Sequence, residues 1–564
     1  MSADPAAAGA AAGPAAGAGR PAVQDPLDLT IANAAVFDGE RLLDADTVTV
    51  SGGTVTGIGR GLDPVGRVVD AHGALLAPGF VDAHAHPVFA GVEALAFDVS
   101  QTTSAAEVLA AVRTALPQGE GWLTGGGWSM AHFPGGAPLA SQLDEAGAAV
   151  GSDRPIQLIN RDHHSAWVNT AALRIAGIDR TTQPPPGGVI ERDEHGEPTG
   201  TLHESAMDLV AAHIPPESPE ELRAGLLHGQ AAMHGLGITG YIDAIVGDYS
   251  GHGDSLAAYV AAEAAGELTM EVNGSLWWGR DIADVEAEAA RLAARRVDSP
   301  RLRTTQVKFM LDGIVESMTA AMAQPYRCAC GGTGTQYFAR EHLRAAFAAI
   351  SAAGLDIHCH AIGDAASTEA LDAFEALAAA GDRSDARHHI AHIQVVDPAD
   401  IPRFAQLGIT ANMQALWACY EDQMVELNMP VLGEERSGWQ YPFGDLARAG
   451  APLAMGSDWP VSSPDPWQAI HVAVNRSHPT AVRPEPLLPH QALRLETALA
   501  AYTSGSARLA RTHTAGRLRV GAPADFALAD ANPFALPAQE LHTVGTLLTA
   551  AGGRLVHADP QVTL

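Results

Sequence analysis

Lysine is almost missing from this chain. Lys and Arg together number 34 in 564 residues, and a single one of them, Lys308, is lysine, a residue normally among the commonest. Positive charge is scarce in general: 65 Asp and Glu leave a formal net charge of −31. Such a surface repels phosphate backbones and anionic bilayers, so nucleic-acid and membrane-surface partners are not expected. Cysteine is also rare. Cys328, Cys330, Cys359 and Cys419 are too few and too clustered for a disulfide framework, which points to a reducing, cytoplasmic compartment. Cys328 and Cys330 lack a second Cys/His pair at finger spacing, so a zinc finger is not expected. No run of about eighteen apolar residues occurs, so no membrane span is expected. Residues 1–27 are mostly Ala, Gly and Pro, without the basic start and Leu-rich stretch of a secretory signal, and read as a disordered tail.

What is present gains weight from these absences. Lys308 lies in a strand-like run, Val307-Lys308-Phe309-Met310-Leu311, in a chain that otherwise uses arginine. Arginine cannot supply a neutral amine near pH 7. A desolvated lysine can, and a neutral amine reacts with carbon dioxide to give an anionic carbamate able to bind metal. GC-rich codon usage would also replace lysines by arginine, so the position carries meaning only through its context.

That context is a repeated local pattern. Amphipathic stretches end at a glycine suited to cap a helix, followed at once by a short apolar run and then polar residues. Gly237 precedes Ile238 to Ile242, Gly354 precedes Leu355 to His358, Gly408 precedes Ile409 to Met413, and Gly450 precedes Pro452 to Met455. Helix, cap, buried strand and polar strand end in repetition predict an α/β fold, a (β/α)8 TIM-like barrel whose chemistry sits at the carboxyl ends of its strands. An open doubly wound sheet has similar grammar, but no Gly-rich phosphate fingerprint follows a first strand.

The strand ends carry metal-binding side chains. His84 and His86, two apart in Phe80-Val81-Asp82-Ala83-His84-Ala85-His86, point the same way from a strand. His360, His392 and Asp458 end later apolar runs. With Lys308 these residues suffice for two divalent cations sharing an anionic bridge, an arrangement that generates hydroxide at neutral pH and polarises a carbonyl.

PGFVDAHAHP, VKFMLDG, HAIGD, HHIAH and GSDWPV occur in the order found in the metal-dependent amidohydrolase superfamily, which the chain resembles from about residue 28 to 558. RDHHSAWVNTAAL, GEPTGTLHESAM and DPWQAI make it similar to the subgroup (amidohydrolase family 3) that contains N-substituted formamide deformylase. The resemblance implies His84 and His86 on one metal, Lys308 as a carboxylated bridge, His360 and His392 on a second metal, and Asp458 as ligand and proton shuttle. Zinc is the first candidate, with iron and manganese open, as is a single ion. The implied reaction is cleavage of a non-peptide carbon–nitrogen bond, in an amide or N-substituted formamide, by hydroxide held at the metal. Two alternatives stand: a mononuclear aminohydrolase of a heterocyclic ring, and a non-catalytic regulatory or scaffolding descendant. Ala391 stands where relatives often carry Glu. His358 and His388 read as packed, hydrogen-bonded histidines deeper in the barrel.

The expected plan is a β-sandwich built from residues 28–77 and 514–564, with strands at Thr30 to Phe37, Val48 to Ile58 and Gly516 to Leu528. The barrel occupies 78–513. His86 and Lys308 lie 222 positions apart, far more than two β/α units need, so residues 98–225 read as an inserted subdomain or lid. Trp122 and Trp167 read as its core. Trp128, beside Gly125, Gly126 and Gly127, together with Asp162, His163, Tyr326 and Gln414, are the expected substrate-binding residues. The partner is a small-molecule amide, and association into homo-oligomers stays open.

Overall fold

The computed structural model describes residues 26–249, 252–327, 331–480 and 483–562. Most of the Ala/Gly/Pro-rich tail, and the Cys328/Cys330 pair, fall outside them. Eight parallel strands form the central sheet: β1 (Phe80–Ala85), β2 (Ile238–Val246), β3 (Glu271–Trp277), β4 (Leu302–Met310), β5 (Asp356–Ala361), β6 (His389–His392), β7 (Thr410–Met413) and β8 (Leu453–Met455). They pair in sequence order from β1 to β8. Nearly every residue of these strands is buried, because helices cover the outside and the interior is filled by side chains.

Sequence explains the helix boundaries between strands. Gly237, Gly354, Gly408 and Gly450 all adopt positive φ at helix ends, where the left-handed conformation lets the chain turn into the next strand without a Cβ clash. The barrel is joined across its last gap by backbone bonds, from Asp458 N to the His84 carbonyl (2.6 Å) and from His86 N to the Trp459 carbonyl (2.8 Å). Gly456 permits that approach, since a Cβ there would stand 2.5 Å from His84 N.

Strands from both ends of the chain share a five-stranded sheet, in the order Ala35–Val36, Leu75–Pro78, Phe526–Ala529, Thr546–Ala551 and Arg554–Ala558. A four-stranded sheet contains Leu29–Ala32, Thr47–Ser51, Thr54–Gly59 and Arg67–Asp70. Ile31, Val48, Leu76, Phe526 and Leu548 belong to one apolar cluster spanning both. Three details differ from the expected strands: Val48 to Ile58 is a hairpin of two strands, Thr47–Ser51 and Thr54–Gly59, turning at Gly52 and Gly53. Asn33, at φ 55°, breaks the run from Thr30 to Phe37 into strands of two different sheets. Of Gly516 to Leu528, only the end from Phe526 is strand.

Between the helix α1 (Pro87–Leu95), which follows β1, and the helix Pro219–Gly235, which precedes β2, stands a six-stranded sheet drawn from Phe97 to His203. Trp128 and Trp167 are fully buried in an apolar cluster that this sheet shares with Ile314, Tyr326 and Leu432. No described helix is long and apolar enough to cross a membrane.

Candidate metal centre

At the carboxyl end of the barrel, His84 Nε2 and His86 Nε2 lie 3.3 and 3.2 Å from Asp458 Oδ1, and His392 Nδ1 lies 3.8 Å from Asp458 Oδ2. Lys308 Nζ is 3.3 Å from His84 Nε2. All five side chains reach one chamber, with His360 beside them.

A hydrogen-bond relay fixes the protonation of His84. Gln306 donates its amide to the Leu509 carbonyl (3.2 Å), which turns Oε1 toward Ser275, and Ser275 Oγ donates to it (3.2 Å). The one hydroxyl proton is then used, so Ser275 Oγ must accept from His358 Nδ1 (2.9 Å). His358 Nε2 consequently accepts from His84 Nδ1 (2.9 Å), which leaves a lone pair on His84 Nε2, facing Asp458. Burial, then Lys308, hold the His84 imidazole neutral, with its pKa pushed down to about 3.

Two acceptors, an imidazole lone pair and a carboxylate oxygen, therefore face one another at 3.3 Å. Lys308 Nζ, 3.3 Å from the same lone pair, relieves part of that contact, and a cation between the two acceptors would make it favourable. Metal–ligand bonds of about 2.0–2.1 Å at tetrahedral angles set donors roughly 3.4 Å apart, close to the separations found. His392 Nδ1 is buried with no hydrogen-bond partner, as expected of an atom reserved for a ligand bond. The residues present thus fit a divalent cation.

Lys308 is 1% exposed, and among the described residues no carboxylate lies within salt-bridge distance of it. Burial pushes its pKa down to about 8, against the attraction of Asp458. Asp458 behaves oppositely: burial alone would raise its carboxyl, but His84, His86 and His392 outweigh that and hold it well below the usual range. His360 donates Nε2 to the Gly313 carbonyl (3.2 Å), leaving Nδ1 as its free donor atom.

Some of the positive-φ non-glycine backbone lies here. His163, His392 and Asp458 have φ of 61°, 74° and 58°, conformations that cost energy in non-glycine residues and cluster where side chains must be aimed.

Several expected substrate contacts are corrected. Asp162 and His163 do line the chamber, which opens onto a cavity of about 710 Å³ bordered by Trp417, Trp459 and Ile314. Trp128 does not reach it; its Nε1 donates to the Leu158 carbonyl within the shared apolar cluster. The adjacent glycines serve the protein's own backbone, since a Cβ on Gly125 would stand 1.9 Å from the Phe97 carbonyl oxygen and one on Gly126 2.4 Å from that of Ile159. Tyr326 is buried, with its hydroxyl on the Ala320 carbonyl. Gln414 lies beneath the site, where Oε1 accepts from His392 N (2.7 Å) and braces the strained His392 backbone. His388 packs at the base of its strand, bonded to Asp382 (2.9 Å). His389 instead fills the deep barrel layer, its ring 4.0 Å from that of His358. Strand alternation misassigns this pair because His392 leaves the extended conformation and re-aims itself.

The chain is similar to known proteins along most of its length. A family model described as Amidohydrolase family matches residues 67–557. Protein LONG AFTER FAR-RED 3 of Arabidopsis thaliana is 30% identical over 553 residues, covering 94% of this chain and 91% of that protein. N-substituted formamide deformylase of Arthrobacter pascens is 28% identical over 556 residues, covering 94% and 98%. Among solved structures, an uncharacterized metal-dependent hydrolase from Pyrococcus horikoshii OT3 superposes with a TM-score of 0.69 at 24% identity, covering 90% of this chain and 99% of that one.

Proposed function

The chain belongs to the amidohydrolase family of hydrolases acting on C–N bonds, and from that premise we propose that it is a metal-dependent enzyme cleaving an amide or N-substituted formamide. The observation that carries this reading is the convergence of His84 Nε2, His86 Nε2 and Asp458 Oδ1, with the His84 lone pair turned inward. His84, His86, His392 and Asp458 would hold a divalent cation, zinc first among the candidates given the imidazole-rich donor set. His360 through Nδ1 and a carbamate on Lys308 would complete a second position. Bound cations acidify water and polarise a carbonyl oxygen.

The remaining work falls to the chain. Asp458, ionised at neutral pH, accepts a proton from the attacking water and delivers it to nitrogen as the C–N bond breaks, so that the products are an acid and an amine. Lys308, its pKa lowered by burial to about 8, holds a fraction of neutral amine near pH 7, the form that reacts with carbon dioxide. Trp417, Trp459 and Ile314 offer an apolar wall to a substituent on nitrogen. Likeness over nearly its whole length to a protein called N-substituted formamide deformylase favours formamides among amides.

One observation favours a mononuclear centre and the ring-aminohydrolase alternative: His360 Nε2 turns to the Gly313 carbonyl rather than to the other donors. The test is a panel of N-substituted formamides and purine and pyrimidine bases, with formate, amine and ammonia all quantified. Formate and amine in equal amounts, lost on chelation and in Lys308→Arg, are expected. Ammonia from the bases would transfer the assignment to the alternative, and full turnover by Lys308→Arg would overturn the bridging role.

A further inference from the structure

A second group of donor atoms converges at the rim of the barrel, apart from His84, His86, His392 and Asp458. Glu93 Oε1, His163 Nδ1 and His252 Nε2 lie within 4.8 Å of one another. Glu93 Oε1 stands 3.6 Å from His163 Nδ1 and 3.5 Å from His252 Nε2, again close to the separation that bonds of about 2.0–2.1 Å impose at tetrahedral angles. The ring of Phe89 lies nearly parallel to those of both His86 (6.0 Å) and His252 (4.4 Å), and so packs between this cluster and the centre at Asp458.

Three features prepare these atoms for a ligand. His252 Nδ1 bonds to Glu217 Oε1 (2.7 Å), and Gly253 N fixes the other oxygen of that carboxylate (2.9 Å). Burial alone would lower the His252 pKa, but Glu217 and Glu93 outweigh it and raise the value to about 9. A cation would therefore replace the Nε2 proton while Glu217 holds Nδ1 as a donor, the usual support of a metal-binding histidine. Glu93 Oε1 is buried with no hydrogen-bond partner, although it points into the cluster. His163 is held at φ 61°, a strained conformation that aims its ring at Glu93.

We propose that Glu93, His163 and His252 form a separate divalent-cation site, supported by Glu217, at the mouth of the barrel. Two imidazoles and one carboxylate suit zinc or a neighbouring transition metal, whereas calcium and magnesium prefer all-oxygen sets. The three ligands come from α1, from the inserted subdomain and from the segment after β2. A cation there ties the insertion to the barrel rim and leaves open coordination positions facing the chamber.

The test uses the full chain equilibrated with Zn2+, desalted, and analysed by plasma mass spectrometry. Glu93→Gln/His252→Gln is expected to hold one ion fewer per chain than wild type. His84→Ala/His86→Ala should keep the rim ion, and replacing it with Co2+ should give a visible absorption that disappears when Glu93→Gln is added. Zinc should also slow proteolysis of the insertion in wild type but not in Glu93→Gln, the isosteric single change that keeps the test available if the double variant misfolds. Equal zinc content in wild type and in the Glu93 variants, with no cobalt signal, would overturn the proposal. Unchanged zinc in His84→Ala/His86→Ala would instead count against the Asp458 centre alone.

Discussion

His358 touches no proposed substrate atom, yet its replacement should weaken metal binding strongly. Its Nε2 accepts the Nδ1 proton of His84 at 2.9 Å, and both residues are almost wholly buried. In His358→Phe the ring volume is kept but that acceptor is lost. If His84 keeps its tautomer, a buried N–H is left unpartnered at a cost of about 1–3 kcal/mol. If it changes tautomer, the proton moves to Nε2, where Asp458 Oδ1 at 3.3 Å can accept it, and the lone pair meant for the cation is gone. Either path lowers affinity by about 10–100-fold, or roughly 1.4–2.7 kcal/mol. Ser275→Ala, one step further out, should act in the same direction with a smaller effect, because it only frees His358 to choose its own tautomer. The assay is competition for Zn2+ with a chelator of known affinity, with thermal unfolding checking that the fold survives. A folded His358→Phe protein whose affinity stays within about twofold of wild type would refute the relay.

Two further expectations concern the fold around the site. Glu204 is buried, which alone would raise its pKa, but His164 (2.8 Å) and Arg280 (3.5 Å) outweigh this and bring it to about 2 from an ordinary 4.5. A folded pKa below the unfolded one stabilises at pH values above about 4.5, by on the order of 3 kcal/mol, and that contribution disappears as pH falls from 4.5 toward 2. Urea unfolding should therefore find wild type ahead of Glu204→Gln at pH 7 and the gap narrowing below pH 4.5; a constant gap would contradict the assignment. Trp128→Ala should destabilise by about 3–5 kcal/mol, as loss of a core indole does, and calorimetry finding no change would return Trp128 to the cavity wall.

The parts of the site that were legible in sequence share a physical signature. His84, His86, His360, His392 and Asp458 each end a buried apolar run, where a polar side chain needs a reason, and Lys308 is conspicuous because arginine was the chain's default. Glycines at helix ends marked the strands of the barrel for the same reason, since positive φ leaves few other choices. Ser275 and Gln306 gave no such sign. They are ordinary polar residues whose role depends on which strands lie side by side, and nothing local encodes that neighbourhood. Glu93 and His252 stood alone in sequence, more than 150 positions apart, and meet only because the chain returns from the insertion to the barrel rim. The glycines at 125–127 were misread because close backbone approach looks the same in sequence whether the approaching group is a ligand or, as here, the neighbouring strand.

The most direct measurement is anomalous X-ray scattering at the zinc edge from crystals of the full chain grown with zinc and bicarbonate. The account predicts a peak enclosed by His84, His86, His392 and Asp458, with density extending from Lys308 Nζ as a carboxylated side chain. No peak there, with His84 Nε2 hydrogen-bonded directly to Asp458, would contradict it.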